Sequence, residues 1–89
     1  MPTTTVIGEL EGERLIVENT WFSGIRLFHG EKMIGVNNQI FSVSKDSPLI
    51  RKEIVVGGVS RLVEVFAVAL LTVKIQLKVD GQHVAGHRL

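Results

Sequence analysis

The sequence predicts an all-β fold, a small antiparallel β-sandwich or partly closed barrel of about seven to nine short strands. From 63 to 79 every second residue is apolar: Val63, Val65, Ala67, Ala69, Leu71, Val73, Ile75, Leu77 and Val79. That period of two belongs to strands with one face on a core. Turn-forming residues recur at short intervals at Glu11-Gly12, His29-Gly30, Asn37-Asn38, Gly57-Gly58 and Asp80-Gly81, as hairpins require. Helical patterning is weak elsewhere, and the one rival is a helix over Arg61 to Leu71, where Leu, Ala, Glu and Phe are tolerable helix formers.

The 89 residues suffice for a single domain, 1–89. Hydrophobic residues at 45% against 21% charged place the chain among globular proteins and outside the disordered class. Ten basic and nine acidic residues leave a net charge of +1, which supplies no field to gather nucleic acid or an anionic membrane. Cysteine is absent, so disulfides, thiolate nucleophiles and cysteine-based zinc sites are excluded. That composition suits a reducing compartment, and the expected location is cytoplasmic. The start, Met1-Pro2-Thr3-Thr4-Thr5, lacks the basic and apolar segments of a signal peptide. The most apolar run, Val65 to Val73, is bounded by Glu64 and Lys74 and falls well short of the about 20 residues of a spanning helix.

Strands are expected in order. Thr4 to Leu10 and Glu13 to Glu18 flank Glu11-Gly12, setting Ile7 opposite Ile16, Val6 opposite Val17 and Glu9 opposite Arg14. Ile25 to Phe28 and Glu31 to Val36 flank His29-Gly30, which sets Ile25 opposite Ile34. A short strand, Ile40 to Ser44, precedes a loop at Lys45-Asp46-Ser47-Pro48, since proline fixes its own φ and pushes Ser47 towards extended geometry. Leu49 to Val56 pairs through Gly57-Gly58 with the start of the long apolar run, placing Arg51 by Glu64, Leu49 by Phe66 and Val56 by Val59. Asp80-Gly81 closes that run and pairs Leu77 with Val84. A straight strand from Val63 to Val79 would extend roughly 55 Å, so it must bend, bulge, change sheets or reach a partner chain.

Polar residues with chemical potential are few. His83 and His87 lie four apart, about 13 Å in extended chain, too far to share an ion; no metal site is expected. His29 falls in a turn with no base or orienting partner nearby in sequence. Glu64 interrupts an apolar strand and is expected to pair with Arg51. No serine has a nucleophile-elbow setting, and Gly57-Gly58 opens no phosphate loop. Trp21 and Phe22 stand together in a turn-like stretch. Trp21 can cap one end of the core, or Trp21, Phe22, Arg26 and His29 can form a binding patch, because aromatic and Arg side chains are common interface anchors.

Thr20-Trp21-Phe22-Ser23-Gly24-Ile25-Arg26 with the following strand and Gly30, and Thr72 to Asp80-Gly81 further on, resemble the Fas apoptosis inhibitory molecule family. The resemblance implies a compact, non-catalytic antiparallel β-sandwich that acts through protein contacts. It carries no functional residue over to this chain.

The functional expectation is a non-catalytic protein-interaction or assembly module, forming a homodimer or higher homo-oligomer through strands that include part of Val63 to Val79. It needs no cofactor, no nucleic acid and no membrane. Two other classes stay open: a small-ligand-binding β domain, which needs a cavity, and an enzyme assembling His29, Glu64 or His83 at a subunit interface.

Overall fold

Alternation of apolar and polar residues builds eight strands among the residues that the structure, a computed structural model, describes: 3–20, 24–38, 47–69 and 73–89. They are β1 (Thr3–Leu10), β2 (Glu13–Thr20), β3 (Gly24–His29), β4 (Lys32–Asn37), β5 (Ile50–Val56), β6 (Val59–Ala69), β7 (Val73–Val79) and β8 (Gln82–Gly86). They form two four-stranded antiparallel sheets, ordered β1-β2-β3-β4 and β5-β6-β7-β8. The fold is the small all-β sandwich expected from the alternation. Residues 61–69 of the rival helix are strand. The expected strand Ile40–Ser44 lies outside the described residues, as do Trp21, Phe22, Leu70 and Leu71.

Two hairpins have the register that alternation and turn chemistry dictate. In the first, Val6 pairs with Val17, Ile7 with Ile16 and Glu9 with Arg14. In the third, Arg51 pairs with Glu64 and Val56 with Val59, and Leu49 N donates to Val65 O. The turn residues Glu11 and Gly12, Gly57 and Gly58, and Asp80 and Gly81 all have positive φ, the pattern of type I′ turns, whose twist matches the strands.

The β3–β4 hairpin departs from expectation by one residue. Its turn is Gly30-Glu31, not His29-Gly30. Gly30 alone takes positive φ there, +64°, as a type II′ turn demands of its first position; a His29-Gly30 turn would have put His29 in that region. The shifted turn together with a bulge pairs Ile25 with Asn37 in place of Ile34. Both fourth strands also bulge. The ladder steps from Phe28–Met33 to Leu27–Gly35 past Ile34, and from Lys78–His83 to Leu77–Ala85 past Val84. Leu77 thus meets Ala85, not Val84. Each bulge falls at the third residue after the turn, and each extra residue packs against the core. A bulge re-aims a side chain in this way.

The long apolar run is not one strand. It is divided between β6 and β7, which pair with each other, Val63 opposite Val79, Val65 opposite Leu77 and Ala67 opposite Ile75. Folding back satisfies the length limit within one chain, so the geometric reason for sending this run into a partner falls away.

The core is one cluster supplied by both sheets: Leu15, Val17, Ile25 and Leu27 from the first, Ile50, Ile54, Val56, Val63, Val65, Ala67, Ile75, Leu77 and Val79 from the second. The sheets approach most closely at their edges, and glycines sit there. A Cβ on Gly8 of β1 would lie 2.8 Å from Leu77 Cδ2 and from Val84 Cγ1. One on Gly35 of β4 would lie 2.7 Å from Ile50 Cγ2. Glycine inside a strand marks such close approach.

Candidate functional site

The two sheets differ in their outer faces. On the first sheet the cross-strand pairs Ile7–Ile16, Ile16–Phe28 and Phe28–Met33 form a continuous row over all four strands. Directly opposed residues share a face, and this face is turned away from the core, since the alternate residues Leu15, Val17 and Leu27 are buried. The row is therefore an apolar band on an outer surface. Its ends are the most open, Ile7 at 58% and Met33 at 51% exposure, while Ile16 and Phe28 are half-buried between them. The next row reads Thr5, Glu18, Arg26 and Val36, so one anion and one cation stand side by side next to the band. Val36 extends the apolar area on β4 and is exposed.

The outer face of the second sheet is mixed: Val55 on β5 is 65% exposed, but charged residues interrupt the apolar ones. Arg51, Glu64, Lys78 and His83 make a row across its four strands. Arg51 Nε stands 3.7 Å from Glu64 Oε2, the pair expected from sequence. Lys78 Nζ lies 5.0 Å from the centroid of the Phe66 ring, a cation–π distance. Phe66 is buried although it lies outside the core cluster. Gln76, on the same face, is 5% exposed and donates from Nε2 to His83 Nδ1 at 3.0 Å. Lysine stems and paired charges thus cover part of this surface.

Of the four binding residues expected from sequence, Trp21 and Phe22 lie outside the described residues. Arg26 belongs to the outer face of the first sheet, opposite Glu18. His29 is three residues further along β3 and so projects to the opposite side of that strand. Its Nε2 donates to Glu13 Oε1 at 2.6 Å, which fixes the ring at the end of the sheet where the β3–β4 turn lies. Arg26 and His29 do not share a surface. The residues that sequence reasoning missed are the four of the apolar row, Ile7, Ile16, Phe28 and Met33. The signal was present in Leu15-Ile16-Val17 and Leu27-Phe28, where consecutive apolar residues furnish both faces of a strand.

The end of the sandwich holding the β1–β2 and β7–β8 turns is cross-linked by charge. Arg61 donates from Nη1 to Asp80 Oδ2 at 3.0 Å and from Nη2 to Glu11 Oε2 at 3.3 Å, joining turns of the two sheets. The hydrogen bond from Leu62 N, then that from Arg61, lowers the Asp80 carboxyl below its usual range. The guanidinium of Arg61 is raised, chiefly by Asp80. One guanidinium thus bridges two carboxylates, and all three side chains are engaged with one another.

Among the described residues no group of three or more His, Asp and Glu could hold a metal ion, and no helix is long and apolar enough to cross a membrane. A groove lined by Thr4, Thr5, Val6, Ile7, Gly86 and His87 runs between β1 and the end of β8 and is open to solvent. Comparison with protein families, with curated proteins and with solved structures finds no match.

Proposed function

We propose that the protein is a non-catalytic assembly module, a homodimer or higher homo-oligomer built through the outer face of its first sheet. The observation that carries this reading is the apolar row Ile7–Ile16–Phe28–Met33, exposed at both ends. Contiguous apolar surface of this kind marks interaction sites. The polar groups an enzyme would draw on support the same reading, because each already has a partner in its own chain. His29 bonds Glu13, Glu64 pairs with Arg51, and His83 accepts from Gln76. The open β1–β8 groove offers a small ligand little of the enclosure that such sites use. The module requires no cofactor, nucleic acid or membrane, and its cysteine-free composition suits the cytoplasm.

Sedimentation velocity over a micromolar to millimolar range tests this. The expected result is a mass that rises with concentration to a multiple of the monomer. Met33→Lys and Ile7→Lys, both at exposed positions, should keep the fold and abolish the association. A wild-type protein that stays monomeric throughout, or lysine variants that associate as before, would remove the proposal.

A further inference from the structure

We infer that the occupant of this face is a second copy of the chain, related by a two-fold axis that runs along the strands between β2 and β3. The inference rests on the assembly reading above and adds the symmetry axis and the contacts it makes. An axis in that position exchanges β1 with β4 and β2 with β3. It lays Ile16 against the second copy's Phe28 and Ile7 against its Met33, a branched side chain meeting a longer or larger one at each of four contacts. In the adjoining row it lays Glu18 against the second copy's Arg26, and Arg26 against its Glu18. Both charges of the patch are thus satisfied twice over, since Glu18 and Arg26 already stand opposite each other within the chain. A two-fold contact must be self-complementary in this sense.

The other in-plane axis, across the strands along the apolar row, fits less well. It would stack Phe28 on Phe28 and Ile16 on Ile16. Glu18 would meet the second copy's Arg14, but Arg26 would face Gly30 and keep no intermolecular counter-charge. With the axis along the strands, the one unfavourable approach is Glu9 towards the second copy's Glu31, both exposed at the rim, where water and salt screen them.

The size of the face predicts the strength of the pair. Four strands at about 4.8 Å spacing and about 24 Å length give on the order of 900 Å² of flat area over both copies, close to the lower bound of about 1,000 Å² for specific interfaces. The dimer is therefore weak and concentration-dependent, in the micromolar class.

Charge reversal with mixing tests the geometry. Glu18→Arg alone and Arg26→Glu alone should each weaken self-association roughly tenfold or more, because like charges then meet at both contacts. Mixed in equal amounts, the two variants should form a heterodimer of near wild-type affinity, two cations on one chain meeting two anions on the other. The intrachain pair remains mismatched in both variants, so recovery on mixing reports on the interface alone. Circular dichroism checks each fold. Should either variant unfold, single cysteines in this cysteine-free chain give the same information. Ile7→Cys mixed with Met33→Cys should cross-link through a short bis-maleimide, whereas Ile7→Cys alone, three strand spacings from its own copy across the axis, should not. Folded variants that fail to recover on mixing, or Ile7→Cys cross-linking to itself, would overturn the geometry while leaving the lysine result and the assembly reading intact. A monomeric wild type overturns both.

Discussion

Arg61 and Asp80 hold each other across 3.0 Å, and the second carboxylate oxygen of Asp80 accepts the backbone N–H of Leu62 at 2.9 Å. Asp80 N in turn donates to Leu62 O at 2.8 Å. The β7–β8 turn is thereby tied to the start of β6. Asp80 also has positive φ, +52°, a geometry that Asp and Asn tolerate better than other non-glycine residues.

The depressed Asp80 pKa makes this contact pH-dependent. A carboxyl with a lower pKa in the folded than in the unfolded chain adds stability above its unfolded value, 3.8, and loses it as pH falls through the folded value. Asp80→Asn keeps the turn geometry and removes the charge. Its melting temperature should fall below wild type at pH 7, and the gap should close as pH falls below 3.8 and through the lower folded value. A gap of constant size would show that the charge contributes nothing.

The inward face of β7 should be far less tolerant than the outward one. Ile75 and Leu77 are fully buried, so Ile75→Ala and Leu77→Ala should each cost about 2–5 kcal/mol in denaturant unfolding. Lys74, next to Ile75 on the opposite face and exposed, should cost under about 0.5 kcal/mol as alanine. Equal losses would contradict the register.

Gln76 breaks the simple alternation rule and has its own prediction. By parity it belongs with Lys74, yet it is buried and hydrogen-bonded to His83. Gln76→Ala should therefore cost about 1 kcal/mol, the usual net worth of such a bond. His83→Ala in the same background should then add little, and a fully additive double mutant would show that the two are uncoupled.

The edge glycines are expected to resist even one added methyl. Gly8→Ala and Gly35→Ala, which would press on Leu77, Val84 and Ile50, should each destabilise by about 1–3 kcal/mol as overpacked core positions do. Unfolding midpoints at or above wild type would mean that the sheets can part at their edges without penalty.

Much of this fold is legible in the sequence, and the exceptions have physical causes. Glu11-Gly12 and Gly57-Gly58 announce their turns, and the alternation on either side admits one register. The hairpin within Val63 to Val79 announces nothing, since Ala69-Leu70-Leu71-Thr72 contains no Gly, Pro, Asn or Asp. The bulges at Ile34 and Val84 have no composition signature either, because they serve packing between sheets. The apolar band was hidden for a related reason. Its β1–β2 half, Ile7 with Ile16, follows from the first turn, whereas Phe28 and Met33 align only once the second turn is shifted to Gly30-Glu31.

In both sheets the order of strands in space is their order along the chain. Every ladder joins neighbours in sequence, so each can zip from its own turn without first closing a long loop, and only the meeting of the two sheets brings distant parts of the chain together. Loop closure is the step that slows most all-β domains. This chain should therefore refold faster than Greek-key sandwiches of equal length, with its rate set by the docking of two preformed meanders.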